Sequence, residues 1–204
     1  MSIVQEILRS ERSMNSHHVL AKLCQESYET SDFEEAGIEV MVSGNCFVFR
    51  GTDEARDVLR DIRVLPLWTS VGWCPAGFFK ASRRLLPKIM SWCLENDIDH
   101  TKVELTGHSL GGAVAQLVGA LMVRDEIIPV QVVSFGAPKC GRLKLLDQVP
   151  KVFLYRNGKD IVAVIPFFMR RHKPLVSVGK KCSRIKDHFI KNYVRAKKLA
   201  GHAQ

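Results

Sequence analysis

The residues with the clearest potential for chemistry lie at Gly107–Gly111, where the sequence reads GHSLG and forms a G-x-S-x-G pentapeptide. This pentapeptide stands between a strand-like segment at 103–107 and a helix-compatible segment at 109–125. Glycines two positions to either side of a serine let a strand and a helix meet at a sharp turn without a clash of Cβ atoms. Such a turn exposes the Ser109 hydroxyl at a helix N-terminus, where the helix dipole favours the negative charge that develops during acyl transfer.

A serine hydroxyl needs a histidine to take its proton and a carboxylate to orient that histidine. With this turn the chain order is serine, then acid, then histidine. The acidic residues after position 138 are Asp147, Asp160 and Asp187. Asp147 lies in a predicted helix, and Asp187 is adjacent to a histidine, so that the two side chains would point apart. Asp160 follows a strand-like run, at the end of a parallel strand where catalytic groups collect, and is the predicted acid.

The predicted base is one of the histidines that follow Asp160, namely His172, His188 and His202. His202 lies two residues from the end of the sequence, and His172 stands among cations in RRHK, which favours a surface position. His188 lies beside apolar residues at the start of a predicted last helix, which favours it as the base. His108 is expected to point away from Ser109 and to pack against or support the site.

The elements that must position these residues alternate between strand and helix in the second half of the chain. Strand-like segments at 103–107, 130–135 and 151–157 are separated by helical segments at 109–125 and near 142–148. This alternation predicts an α/β fold with a mainly parallel central sheet and helices on both faces.

The first half of the chain and its last segment are less regular. The remaining predicted elements are one or two helices at 3–28, a hairpin at 38–49, a polar helix at 53–62, an apolar loop at 65–78, a helix at 78–96 and a basic helix at 185–199. A length of 204 residues predicts one domain over 1–204, with 1–35 as a helical N-terminal extension.

Composition excludes several classes of protein. With 46% hydrophobic and 25% charged residues the chain is too apolar to be disordered as a whole. No apolar run reaches the ~20 residues of a membrane span, and the N-terminus lacks a signal-peptide pattern, so a cytoplasmic location is expected. Six widely spaced cysteines without a C-x-x-C pair predict reduced thiols, and no metal or cofactor is expected.

The net charge of +9 is unevenly distributed. Residues 1–138 hold 13 Lys and Arg against 18 Asp and Glu, whereas residues 139–204 hold 17 against 3. This basic C-terminal third favours an anionic partner such as a phospholipid surface, with a solvated basic face as the alternative. Its aromatic residues are too sparse to stack bases, so no nucleic acid is predicted.

Six segments together resemble the class 3 lipases, a family with the α/β-hydrolase fold. The segment at 47–62 (FVFRGTDEARDVLRDI) is similar to the family's strand, R-G-T and following helix, and GHSLGGAVAQLVG at 107–119 is similar to its serine motif. The other four are PAGFF at 75–79, VVSFGAPKCG at 132–141, NGKDIVAVIP at 157–166 and KDHF at 186–189. Val58 and Pro75 depart from the family pattern, which has tryptophan and histidine there.

The resemblance implies a lipase-type serine ester hydrolase that acts on acylglycerol or phospholipid esters. It assigns Ser109 as the nucleophile, Asp160 as the acid and His188 as the base. It also implies an oxyanion hole, the set of donors that stabilises the reacting carbonyl oxygen, at Thr52 and the backbone N–H of Leu110. Two other functions stay open: a binding domain of the same fold without catalysis, and a thioesterase or peptidase with the same triad.

The family's lid interval is short and aromatic in this chain. Between the R-G-T strand and the G-F helix it contains Leu67, Trp68 and Trp73, which are the predicted lid or substrate-contacting residues. Tryptophan is favoured where a surface is half apolar and half wet, which suits contact with a lipid interface. The alternative is that both tryptophans cap the hydrophobic core.

Overall fold

The computed structural model describes residues 16–51, 65–179 and 186–196. The strands are β1 (Phe33–Glu35), β2 (Ile38–Ser43), β3 (Cys46–Phe49), β4 (Pro66–Thr69), β5 (Gly72–Pro75), β6 (Glu104–His108), β7 (Gln131–Phe135), β8 (Lys151–Asn157) and β9 (Val176–Val178). The α-helices are α1 (Ser16–Glu26), α2 (Ala76–Glu95), α3 (Leu110–Arg124) and α4 (Ile190–Val194). Short 3₁₀ turns occur at His100–Lys102, Lys144–Gln148, Val162–Val164 and Lys186–His188.

Seven strands form one central sheet in the order β1-β2-β3-β6-β7-β8-β9. The first three strands are antiparallel, and every pairing from β3 to β9 is parallel. The predicted mainly parallel sheet is therefore confirmed. Because β6, β8 and β9 run in the same direction, the segments that follow them leave the same edge of the sheet, and these segments contain Ser109, Asp160 and His188 respectively.

Helices cover both faces of the sheet. On one face α2 and α3 pack together over a core that includes Leu85, Leu117 and Leu121. On the other face α1 and α4 pack together over a core that includes Leu23, Tyr155 and Tyr193. Helix α3 is buried from residue 111 to residue 123, which explains why its sequence is apolar on all sides.

Helix α1 lies within the N-terminal extension expected at 1–35. It contributes Leu20, Leu23 and Cys24 to the core, and it contacts β3, β6 and β7. The extension therefore includes a structural part of the core of the fold. The polar helix expected at 53–62 and the first part of the helices expected at 3–28 lie outside the described residues.

Three local expectations are wrong. The apolar segment at 65–78, expected to be a loop, contains the hairpin β4–β5, in which the pair Trp68 and Trp73 face each other across the strands. The helix expected near 142–148 is a 3₁₀ turn. Within the described residues, the α-helix of the segment expected at 185–199 begins only at Ile190, because Phe189 has an extended backbone with φ −60° and ψ 132°.

The described helices include none that is both long and apolar enough to span a bilayer.

Candidate active site

Ser109 occupies a strained turn between β6 and α3. Its backbone has φ 54° and ψ −125°, a conformation that residues other than glycine rarely adopt. A Cβ at Gly107 would overlap the backbone of Gly111, and a Cβ at Gly111 would overlap the carbonyl of Phe49. The Ser109 N–H donates to the Phe135 carbonyl at 2.9 Å, which fixes the turn against β7. The predicted strand, turn and helix are therefore present, and the two glycines permit their close approach.

The structure brings Ser109, His188 and Asp160 together, although they are far apart in the sequence. His188 Nε2 lies 2.9 Å from Ser109 Oγ, and His188 Nδ1 lies 2.9 Å from Asp160 Oδ2. Since an ionised carboxylate only accepts hydrogen bonds, Nδ1 carries the proton and Nε2 is free to accept the serine proton. This geometry places an acceptor where activation of a serine nucleophile requires one.

Asp160 is completely buried, and both of its carboxylate oxygens have donors. Oδ1 accepts from the Val162 N–H at 2.9 Å, and Oδ2 accepts from His188 and from the Tyr193 hydroxyl at 2.5 Å. Burial acts to raise the pKa of Asp160, but the hydrogen bonds and charge of His188, together with Tyr193, leave it below its ordinary value. The carboxylate is therefore held in its ionised form.

His108 supports the site from behind the serine. Its Nε2 lies 2.7 Å from the carbonyl of His188, and its Nδ1 lies 2.7 Å from the Tyr28 hydroxyl. A carbonyl can only accept, so Nε2 donates and Nδ1 of the neutral ring accepts from Tyr28. Burial, followed by the charge of His188, lowers the pKa of His108 to about 3. His108 is thus a neutral positioning residue, as expected from its place beside Ser109.

The segment that carries His188 is also tied to the loop that carries Asp160. Asp187 is buried and accepts a hydrogen bond from the Lys159 N–H at 2.7 Å. The Asn157 side chain donates to the Asp187 carbonyl at 2.9 Å. These bonds join the residues just before each catalytic side chain, so the acid and the base are positioned as one unit.

The predicted oxyanion donors are only partly described. Leu110 is the first residue of α3, and the first N–H groups of a helix have no acceptor within the helix. Thr52 lies outside the described residues. Its neighbour Gly51 is buried, and a Cβ there would lie 3.1 Å from Cβ of Ser109. The chain therefore passes directly beside the serine just before Thr52.

The three predicted lid residues are exposed on the hairpin. Trp68 is 70% exposed, Trp73 is 51% exposed, and Leu67 is also exposed. The alternative that both tryptophans cap the core is therefore wrong. His172 was expected at the surface, but its side chain is only 2% exposed and neither ring nitrogen has a hydrogen-bond partner.

Two residues of the site, Tyr28 and Tyr193, were not predicted from chemical reasoning. Tyr28 lies 80 residues before His108, and no spacing in the sequence indicates their contact. Tyr193 follows His188 by five positions, so its place near the site could have been considered. Within the described ranges, no group of three His, Cys, Asp or Glu side chains could hold a metal ion.

A nucleophile turn after a parallel strand, with the acid and the histidine on later loops of the same sheet, defines the α/β-hydrolase fold. Residues 46–169 match the family described as Lipase (class 3), which is well over half of the sequence. The chain therefore belongs to the class 3 lipase family.

Solved lipase structures share this fold. The Rhizomucor miehei lipase in complex with its propeptide superposes with a TM-score of 0.62 at 19% identity, covering 80% of this chain and 67% of that one. A triacylglycerol lipase whose catalytic centre is formed by a serine protease triad gives a TM-score of 0.61 at 18% identity, covering 86% and 81%. At these identities the likeness shows the fold alone.

Curated relatives include two plant phospholipases. Phospholipase A1-Igamma2 of Arabidopsis thaliana is 26% identical over 117 residues, which are 50% of this chain and 22% of the relative. Phospholipase A1-II 4 of Oryza sativa subsp. japonica is 36% identical over 78 residues, which are 33% of this chain and 20% of the relative. Toxin TseL of Vibrio cholerae is 31% identical over 97 residues, or 44% and 14%. The matched regions thus span about a fifth of these relatives or less.

Proposed function

We propose that this chain is a serine carboxylic-ester hydrolase that acts on lipid esters through an acyl-enzyme on Ser109. The observation that carries the proposal is the placement of His188 between Ser109 and Asp160, with a 2.9 Å separation on each side. Family membership and the phospholipase A1 relatives support lipid esters as the substrate class.

The first half of the reaction forms the acyl-enzyme. His188 Nε2 takes the proton as Ser109 Oγ attacks the ester carbonyl carbon, and the carbonyl oxygen becomes an oxyanion. The Leu110 N–H, together with Thr52, is the proposed donor set for that oxyanion. When the intermediate collapses, the carbon–oxygen bond to the alcohol breaks and His188 donates its proton to the departing alkoxide.

The second half hydrolyses the acyl-enzyme. His188 takes a proton from a water molecule, whose oxygen attacks the acyl carbon, and the bond to Ser109 Oγ breaks. The proton returns from His188 to Ser109, and the carboxylic acid leaves. Asp160 stays ionised throughout and stabilises the imidazolium that forms in each half.

A soluble chromogenic ester of a short fatty acid tests this proposal. We expect an initial burst of alcohol that is lost in Ser109→Ala and retained in Ser82→Ala. Ser82 is an equally buried serine, but its hydroxyl donates to the Phe78 carbonyl within α2, away from the triad. Equal rates for Ser109→Ala and the wild type would show that Ser109 is not the nucleophile and would favour a binding domain without catalysis.

A thioesterase or a peptidase with the same triad is the second candidate. Matched oxygen esters, thioesters and amides with the same acyl group distinguish these reactions, because only the leaving group changes. A higher kcat/KM for the oxygen ester supports the proposal, whereas a higher value for the thioester or amide would contradict it.

The proposed substrate is a phospholipid or a small lipid ester, not a neutral fat droplet. The reason is the basic C-terminal third, since each well-placed Lys or Arg contributes about 1 kcal/mol to binding at an anionic membrane. Peripheral membrane contact through this region belongs to the same proposal. A cytoplasmic location stays a prediction, which fractionation of the source cells would test.

A further inference from the structure

An open groove with a volume of about 850 Å³ lies outside the catalytic site. One wall is the hairpin β4–β5, and the other walls are segments near Gly141–Leu145 and Phe168–Arg170. The hairpin presents Trp68 and Trp73 as a cross-strand pair whose ring centroids are 5.8 Å apart. Phe168 on the opposite wall is 69% exposed. Exposed aromatic side chains grouped in this way are unusual on a protein surface and mark an interaction site.

The groove is also strongly basic. Among the described residues, its lining includes Arg142, Lys144 and Arg170 and no Asp or Glu. None of these three cations takes part in an ion pair within the part of the chain that the structure describes. The nearby Asp147 is already engaged, because its carboxylate lies 3.4 Å from Lys173 Nζ. Positive charge is therefore left unbalanced beside the aromatic walls.

Two further cations, Lys139 and Arg171, lie close in sequence to the lining residues Gly141 and Arg170 and add to the same potential. Arg171 pairs in a bridge with Gly141, and its guanidinium donates to the Ala163 carbonyl. Burial, followed by the charge of Arg171, lowers the pKa of Lys139. Crowded cations without carboxylate partners favour a bound anion, since an anion relieves their mutual repulsion.

The groove is close to the triad but distinct from it. Neither Ser109, Asp160 nor His188 lines the groove. The segment from Gly136, which packs beside the triad, to Gly141, which packs against the Trp73 carbonyl, connects the two places. Five residues of chain span at most roughly 18 Å, so an occupant of the groove would lie beside the catalytic site without filling it.

We propose that this groove binds an anionic phospholipid of a bilayer, with the headgroup phosphate held by Arg142, Lys144 and Arg170 and the upper acyl chain against Trp68, Trp73 and Phe168. The inference rests on the proposed function, because it names the lipid that holds the enzyme at the surface where its substrate occurs. The lipid in the groove acts as an anchor and is not the ester that is hydrolysed.

The combination of groups favours a membrane lipid over other anions. An acidic peptide or a free phosphate would satisfy the three cations but would leave the exposed tryptophans in water. Tryptophan is enriched at membrane interfaces, where its ring is partly apolar and partly hydrated. A lipid with a charged headgroup and an apolar chain matches both halves of the groove.

Vesicle co-sedimentation tests the ionic half of the proposal. The Ser109→Ala chain is mixed with vesicles of phosphatidylcholine alone, or of equal parts phosphatidylcholine and phosphatidylserine. We expect tighter binding to the mixed vesicles. When Arg142, Lys144 and Arg170 are all changed to Gln, the affinity for these vesicles should fall roughly 100-fold, because each cation contributes a factor of about five. The matched control neutralises the exposed Lys88, Lys151 and Arg195, which lie elsewhere on the surface.

Equal losses for the two triple variants would overturn the groove and leave only general attraction by net charge. Because sedimentation needs no turnover, this result does not depend on the catalytic proposal. Conversely, the groove variant with Ser109 intact should hydrolyse a soluble ester at the wild-type rate. An error in the proposed function would therefore be detected with the soluble ester, and an error in the groove proposal would be detected with the vesicles. The two failures can thus be distinguished.

A second pair of variants tests the apolar half. Trp68→Ala with Trp73→Ala should weaken binding to both kinds of vesicle, and this loss should persist at high salt, which screens charge but not apolar contact. Leu94→Ala is the control, because Leu94 is 85% exposed at the far end of α2. Unchanged binding of the tryptophan variant would overturn the inference.

Competition identifies the source of the phosphate. Soluble dihexanoyl phosphatidylserine should displace the protein from mixed vesicles, whereas inorganic phosphate at the same concentration and ionic strength should not. Equal displacement by inorganic phosphate would overturn the lipid assignment and indicate a site for the free ion.

Discussion

His108, the residue immediately before the nucleophile, holds the backbone of the catalytic base, with its Nε2 2.7 Å from the His188 carbonyl. The two rings also pack at a centroid distance of 4.7 Å. Because Tyr28 occupies the other nitrogen of His108, the turn that follows α1 is linked to the catalytic histidine through a neutral imidazole. The position of His188 therefore depends on three segments that are distant in sequence.

Loss of the Tyr28 hydroxyl should reduce catalysis more than stability. Tyr28→Phe leaves the His108 ring free to turn, so that the His188 backbone is less well held. We expect kcat on a soluble ester to fall about tenfold, or about 1.4 kcal/mol in activation free energy, with little change in KM. Steady-state kinetics and guanidinium unfolding of the same preparation measure the two effects.

Tyr155→Phe is the matched control for this prediction. Tyr155 also places its hydroxyl 2.7 Å from a histidine nitrogen, but this nitrogen belongs to His17 and not to a residue that contacts the catalytic histidine. Both substitutions should cost about 1 kcal/mol of stability, the usual net value of one hydrogen bond. If Tyr155→Phe reduced kcat as much as Tyr28→Phe, the positioning role of Tyr28 would be refuted.

The hydrogen bond from Tyr193 to Asp160 should make the stability of the protein pH-dependent. Burial acts to raise the pKa of Asp160, but His188 and Tyr193 leave it below its ordinary value of 3.8. A carboxyl with a lowered folded-state pKa contributes stability that is complete above its unfolded-state pKa and is lost as the pH falls through the folded-state value. Tyr193→Phe should therefore cost about 1 to 2 kcal/mol near neutral pH and progressively less below about pH 4.

Unfolding of the wild type and Tyr193→Phe over a range of pH measures this difference. In the Asp160→Asn background the carboxyl no longer titrates, so the cost of Tyr193→Phe should be the same at every pH. If Tyr193→Phe cost as much stability below pH 4 as at neutral pH in the protein that retains Asp160, Tyr193 would act through packing and not through the charge of the carboxylate.

Gly136 should be essential because it lies against the side chains of Asp160, Tyr193 and His188. It has φ 62°, and a Cβ there would lie 2.8 Å from Asp160 Oδ2 and 2.9 Å from the Tyr193 hydroxyl. We expect Gly136→Ala to lower kcat/KM roughly 100-fold, since a displacement of about 1 Å in a catalytic group has that effect. Ester hydrolysis by the folded variant, checked by circular dichroism, is the measurement.

Gly37→Ala separates backbone strain from displacement of the triad. Gly37 has a similar φ of 77°, but a Cβ there would meet nothing within 4 Å. In both variants the alanine must adopt a left-handed backbone conformation, which costs about 1 kcal/mol of stability. Activity that fell equally in both would mean that global destabilisation, and not the contact with Asp160, explains the loss.

Most of the triad could be predicted because its determinants are local. The turn at Ser109 requires glycines at fixed spacing, and Asp160 follows a strand whose apolar run is visible in the sequence. The hairpin β4–β5 was missed because each of its strands contains a proline, Pro66 or Pro75, and proline within an apolar run argues against a strand. Contacts such as Tyr28 to His108 depend on packing of whole elements, which no local pattern encodes.

His172 illustrates the same limit in a side chain. Its cationic neighbours predicted exposure, but the 3₁₀ turn at Lys144–Gln148 brings Asp147 within 3.6 Å of its ring and the side chain is buried. The composition of a segment therefore predicts its backbone structure better than it predicts whether one of its side chains is buried.

Ser109 is completely buried, so the expectation that its turn exposes the hydroxyl is wrong for this structure. We therefore expect reaction at the serine to be limited by opening of the site. Its exposed surface is 0%, so a reagent reaches the hydroxyl only after the atoms that cover it have moved. If a lipid interface stabilises the open state, a soluble phosphonate ester that modifies Ser109 should react faster when phosphatidylcholine vesicles are present. An opening free energy of about 1.4 kcal/mol corresponds to a tenfold acceleration. Mass spectrometry of the modified protein gives the rate, and spontaneous hydrolysis of the phosphonate with and without vesicles is the control. An unchanged rate would show that the closed arrangement does not limit access.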